Sequence, residues 1–96
     1  MNDIVYLSEL YDYYGELLTE KQQEYFEDYY FNNLTLAEIA ENNNISRNAI
    51  HKQIKDALSK LEMFEEKLQL LNKRKQIQEI IKNLDDKIKE KIEELI

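Results

Sequence analysis

From Ile50 onward, apolar residues return every three or four positions: Ile50, Ile54, Leu58, Leu61, Phe64, Leu68 and Leu71. That interval is the repeat of one face of an α-helix, not the two-residue alternation of a strand. Little elsewhere would interrupt a helix. The 96 residues hold no proline and a single glycine, Gly15, whereas β architecture draws on both residues for its turns. An all-α chain is expected, with material for one core rather than two. Cysteine is absent, which excludes a disulfide scaffold and any Cys-based zinc or redox site. No apolar run approaches the roughly 20 residues that span a bilayer. The opening Met-Asn-Asp lacks the basic flank and apolar stretch of a signal peptide. A cytoplasmic protein with no membrane attachment is the expectation.

Helix starts are marked by short polar side chains. Asp3 opens a first helix over 3–14, with Gly15 as its C-terminal cap. Its tyrosines, Tyr6, Tyr11, Tyr13 and Tyr14, are too closely spaced for all to be buried. Thr19 and Gln22 form a capping box, T-x-x-Q, at the head of a second helix carrying Tyr25, Phe26, Tyr29 and Tyr30 as an inward stripe. Asn32 and Asn33 end it. Thr35 and Glu38 form a second box, with Leu34 and Ile39 stapled across it, opening a short helix over about 35–42. Its apolar side is Leu36, Ile39 and Ala40. Asn42, Asn43 and Asn44 then break the chain, and Asn44 suits a left-handed turn. Ser46 caps a fourth helix, stapled by Ile45 and Ile50, whose core stripe is Ile50, Ile54, Leu58 and Leu61.

A different face of that fourth helix carries Arg47, Asn48, His51, Lys52 and Lys55. The chain as a whole has a net charge of −7, and residues 1–45 hold ten acids against one base. Residues 46–61 reverse the sign, with Arg47, Lys52, Lys55 and Lys60 against Asp56. Residues 62–96 are nearly balanced. One segment alone is basic. Its plain explanation is an ordinary solvated helix surface; its functional one is a contact face for a polyanion.

Beyond Leu71 the apolar pattern breaks at 72–76 and resumes with Ile77, Ile81, Leu84, Ile88, Ile92 and Leu95, spaced mainly as heptads. A stripe of this length folds back as a hairpin after residue 72, or it packs on a second copy of the chain. The second arrangement, a homodimer, is the one expected. Residues 1–71 then form the domain, and residues 72–96 an oligomerisation tail.

Catalysis finds few parts here. His51 is the only histidine, and one histidine without cysteine cannot assemble a multi-ligand zinc site. It reads as an exposed polar contact. No glycine-rich loop exists to bring backbone amides onto a phosphate. The carboxylates sit at helix-surface spacing among lysines, where solvated ion pairs are the ordinary outcome. The expectation is no enzyme, cofactor, metal or small-molecule substrate. Base stacking is another role open to tyrosines, and it suits Tyr11 or Tyr14 better than Tyr25, Phe26, Tyr29 and Tyr30, which are better explained as core with hydroxyls at the rim.

A short helix, a brief turn and a longer capped helix with one basic face is the grammar of a helix-turn-helix unit, over about 35–62. The first helix braces the second, whose N-terminal half enters the major groove, where Arg and Asn present hydrogen-bonding forks to base edges. The stretch LTEKQQEYFEDYYFNNLTLAEIAENNNISRNAIHKQIKDALSKLE, residues 18–62, resembles the region-4 helix-turn-helix of sigma-70-type factors. With the preceding YLSELYDYYGEL and the charged C-terminal helix, the chain is closer still to the YlxM family of small helix-turn-helix proteins. LTEKQ, LAEIAE and ISRNAI are the anchors of the likeness, and the tail from about residue 73 shares its character more than its motifs.

This resemblance implies an all-α, sigma-70 region-4-like bundle with a long C-terminal helical extension, dimeric, and a regulatory role associated with the signal recognition particle pathway. It places Ser46, Arg47, Asn48, His51, Lys52 and Lys55 in the nucleic-acid contact positions. Asn44 stands where sigma-like units often have glycine, and the scaffold is strongly acidic. Three phosphates per protomer would give a dimer a salt slope near about −5, while the acidic region opposes binding wherever phosphates come within roughly 8–10 Å. Two rivals to duplex DNA remain open. One is a protein-interaction adaptor on the same scaffold, docking on a basic signal recognition particle component; the other is the particle's structured RNA, read by shape.

Overall fold

Each of the first four helices begins on the polar side chain its sequence provides. In the computed structural model, which describes residues 3–96, Asp3 accepts from the Val5 amide at 3.0 Å to start α1 (Ile4–Tyr14). The two residues before Asp3, part of the N-terminal reading above, lie outside the described ones. Thr19 and Gln22 exchange hydrogen bonds of 3.1 and 3.2 Å at the head of α2 (Glu20–Tyr30). Thr35 and Glu38 do the same at 3.1 and 3.0 Å for α3 (Leu36–Asn43). Ser46 accepts from the Ala49 amide at 3.1 Å to open α4 (Arg47–Leu68). Such caps are worth about 1 kcal/mol each. Two further helices, α5 (Leu70–Ile81) and α6 (Asp86–Glu93), bring the α-helices among the described residues to six, in an all-α fold.

Left-handed residues make the turns. Asn33, Asn44 and Gln69 have φ of 57°, 55° and 59°. At Asn44 the Ile45 amide reaches back to the Ala40 carbonyl at 3.2 Å, closing the α3–α4 turn without glycine, as the left-handed tolerance of Asn allows. Gly15 is the C-cap of α1, as expected, its amide donating to the Tyr11 carbonyl, but it holds a right-handed rather than a left-handed backbone. Its φ of −56° continues into a 3-10 turn, Gly15–Leu17, and a Cβ there would stand 3.0 Å from the Tyr11 ring. The missing side chain admits an aromatic ring; it does not relieve a backbone.

Two apolar clusters share α4. Tyr25, Ile39, Ala40, Ile50 and Ile54 join α2, α3 and the first half of α4. Leu7, Leu10, Tyr14, Leu18, Phe26, Ala57, Leu61 and Leu71 join α1, α2, the second half of α4 and α5. Tyr30 packs against both. One helix thus presents its N-terminal half from the small cluster while its C-terminal half is held by the large one. Among the first-helix tyrosines only Tyr14 is fully buried, as their crowding predicted. The second-helix stripe is narrower than expected: Tyr25 and Phe26 are buried, but Tyr29 is 38% exposed.

The tail departs from the expected break at residue 72. The helix ends at Leu68, and Gln69 turns the chain so that α5 folds back onto α1. Arg74 reaches Glu9 at 3.2 Å and lies 5.3 Å over the Tyr13 ring, and Leu71 is buried in the larger core. This stretch therefore folds back as a hairpin, with its turn at Gln69 rather than after residue 72. The heptad count could not see the turn because Gln69 is neither glycine nor proline. Farther along, α6 buries none of its residues, and Ile88 and Leu95 are 52% and 85% exposed. The chain extends 53 Å along its longest axis, with a radius of gyration of 16.6 Å, against roughly 12–13 Å for a compact chain of this length.

Candidate nucleic-acid interface

The interface begins with the α3–α4 turn. Asn44 sets the direction of α4, Ser46 starts it, and Ile50 and Ile54 are locked in the smaller cluster with 0% and 4% exposure. Helical geometry then turns Arg47, Asn48, His51, Lys52 and Lys55 away from that cluster, and all five are exposed. Ser46 is exposed as well; its oxygen accepts from the Ala49 amide, leaving its O–H proton free to donate. The six sequence-predicted residues are therefore brought together on one open surface at a helix N-terminus, where the partial positive charge of the helix adds to theirs.

The chain's own carboxylates close little of this surface. Among the described residues, the ion pair made by these cations is Lys52 to Asp56, 2.7 Å apart, with both side chains largely in solvent (74% and 44% exposed). Exposed pairs of this type contribute a few tenths of a kcal/mol, so an incoming phosphate can displace Asp56. Three other acids, Glu9, Glu27 and Glu38, are engaged elsewhere. Glu9 faces Arg74 and Lys75 at 3.2 and 3.7 Å, and Glu27 accepts from the Tyr11 hydroxyl. Glu38 is occupied at the start of α3, where its bonds to the Thr35 backbone and hydroxyl hold its carboxyl below the usual carboxylate range. Lys60, counted above with the basic segment, points the other way and donates to Gln22 Oε1 at 3.2 Å.

Sequence reasoning missed the floor beside this face. A groove of about 700 Å³ runs between Tyr29, Tyr30 and Leu36, with Arg47 on its wall. A smaller recess of about 200 Å³ shares those three residues and adds His51 and Lys55. Tyr29 and Tyr30 meet edge to face, centroids 5.0 Å apart. Burial, with Tyr29 and Glu62 adding to it, pushes the Tyr30 phenol up from its ordinary value. The available signal was the width of the stripe: Tyr25, Phe26, Tyr29 and Tyr30 together with the following Phe31 offer more aromatic surface than one helix face buries, so part of the set must stay uncovered.

Helix caps, turn, braced second helix and open basic face define a helix-turn-helix protein. The chain matches, over residues 1–96, the family described as "Putative helix-turn-helix protein, YlxM / p13 like". It is 48% identical to a UPF0122 protein of Malacoplasma penetrans, covering 97% of this chain and 92% of that protein. A UPF0122 protein of Thermoanaerobacter sp. is 50% identical over 96% of this chain and 75% of its own length. One from Fusobacterium nucleatum is 40% identical over 100% and 94%. The chain belongs to this YlxM/p13-like helix-turn-helix family, and membership points to DNA binding. No helix among the described residues is long and apolar enough to cross a membrane.

Proposed function

We propose that the protein is a regulatory DNA-binding protein that lays the N-terminal half of α4 in the major groove of duplex DNA. The observation that carries this reading is the open basic face, crossed by one solvent-exposed ion pair to Asp56. Arg47 and Asn48 stand at the first turn, where base edges are reached, and serve as readers. Lys52 and Lys55 neutralise phosphates, Ser46 donates to one, and His51 is a polar contact between them. The scaffold is of the sigma-70 region-4 type, with residues 1–71 as the helix-turn-helix domain. Residues 72–96 provide the homodimer through the apolar side of α6, and the regulatory role we propose is one in the signal recognition particle pathway.

Titration of duplex DNA against the protein at rising salt tests this. A dimer engaging three phosphates per protomer gives a slope of about −5. Arg47→Ala relaxes sequence preference at one position, by about 1–3 kcal/mol, whereas Lys55→Ala weakens all sequences alike. Binding unaltered in the combined Arg47→Ala, Lys52→Ala, Lys55→Ala variant rules the face out. Signal recognition particle RNA in a parallel titration decides the rival reading: tighter binding to it than to any duplex DNA makes RNA the ligand.

A further inference from the structure

We propose that the aromatic hollow beside the basic face receives an unpaired nucleobase of the bound DNA, stacked on Tyr29, with its flanking phosphates on Arg47 and Lys55. The inference rests on the DNA-binding reading and goes beyond it, since groove recognition by α4 needs no such hollow. Three observations converge. Tyr29 is 38% exposed, so its ring is open to a second ring, while Tyr30 braces it edge to face at 5.0 Å. The groove and the recess share Tyr29, Tyr30 and Leu36, and their cations, Arg47 and Lys55, together with the polar His51, belong to the face already described. Among the described residues lining either hollow there is no carboxylate, in a chain whose net charge is −7.

That chemistry selects a flat, polarisable ring attached to an anion. An apolar side chain of a protein partner would fill the groove and leave the cations unused. A perfectly paired duplex keeps its bases stacked on one another and has none to offer. A nucleotide left unpaired supplies both the ring and the phosphates, and stacking on an aromatic side chain tolerates any base. The Asn33 side chain, also on the groove wall, can hydrogen-bond the exposed base edge.

The test compares a DNA duplex carrying one unpaired adenine with the same duplex lacking it. The wild-type protein should bind the first about tenfold more tightly, the scale of one base stacked on an aromatic ring. Tyr29→Leu should erase that advantage and leave the Kd for the paired duplex unchanged; Tyr29→Phe should keep both. With 2-aminopurine at the unpaired position, wild-type protein should quench its emission through stacking, a readout independent of any variant's folding. Equal affinity of the wild type for the two duplexes, an advantage that survives Tyr29→Leu, or unquenched emission in the complex overturns the proposal while leaving major-groove binding standing. Failure of both duplexes to bind removes the DNA-binding reading, and this inference with it.

Discussion

The Tyr14 hydroxyl donates to Glu65 Oε1 at 2.7 Å, joining the end of α1 to the last turn of α4 inside the core. The same two groups start the next helix. Glu65 accepts from the Leu71 and Asn72 amides at 3.0 and 3.1 Å, and the Tyr14 oxygen accepts from the Leu70 amide at 3.1 Å. Gln69, at the N-cap position of α5, makes no capping bond of its own to that helix. A carboxylate from the preceding helix therefore supplies the anionic cap that an N-terminus favours.

Removing this cap should undo the α4–α5 hairpin. Glu65→Ala leaves three donors without their acceptor and should cost roughly 3 kcal/mol of unfolding free energy in a urea titration. Tyr14→Phe loses the hydroxyl alone and should cost about 1–3 kcal/mol. Amide exchange should show the loss concentrated in residues 70–81. Uniform protection changes across α2 and α3 would contradict the assignment.

The same phenol predicts an alkaline limit. Burial first, and the bond to Glu65 second, push the Tyr14 ionisation up to about 12 from the ordinary 10.0. Below pH 10 folded and unfolded chains both hold the proton, and its contribution to stability is complete. Between about 10 and 12 the unfolded chain has lost the proton and the folded one keeps it, so stability falls as pH rises. Tyr11, pushed up in the same direction by burial and by Glu27, adds to the fall. The stability gap between wild type and Tyr14→Phe should narrow from about pH 8 to about pH 11. An unchanged gap sinks the claim.

Gly15→Ala is expected to destabilise, although Gly15 has an ordinary helical φ. The new Cβ would press on the Tyr11 ring at 3.0 Å. That ring cannot yield readily, because it stacks on Phe26 at 5.1 Å, meets Phe31 edge to face and holds Glu27 through its hydroxyl. Overpacking of this sort costs about 1–3 kcal/mol. A melting temperature equal to or above wild type would show that the ring gives way.

The dimer proposed through α6 makes a prediction separable from folding. Ile88 and Leu95 are exposed in the single chain, so Ile88→Lys with Leu95→Lys should leave the stability of the protomer within about 0.5 kcal/mol. Sedimentation should shift from dimer to monomer. A dimer that persists places the contact elsewhere.

Much of the architecture was legible because helix starts are local events. Thr19, Thr35, Ser46 and Asn44 each act within about four residues, and the spacing of Ile50, Ile54 and Leu61 names the buried side of α4 by rotation alone. From that side the exposure of Arg47, Asn48, His51, Lys52 and Lys55 follows. Other features depend on partners distant in sequence. Glu65 reads as one more surface acid until Tyr14 and the α5 amides close around it. Tyr29 reads as core until α3 and α4 prove to leave its ring uncovered. Gln69 reads as mid-helix, and its left-handed backbone is compensated by the Tyr14 and Glu65 bonds to the α5 amides and by the packing of Leu71 and Arg74 on α1. Local order along the chain therefore determined where helices begin and which face of each is apolar, since caps and periodicity act over one turn. Where α5 turns back and what lies beside the basic face were decided by tertiary packing, because a burial cost or a backbone strain is repaid only by residues brought near in space.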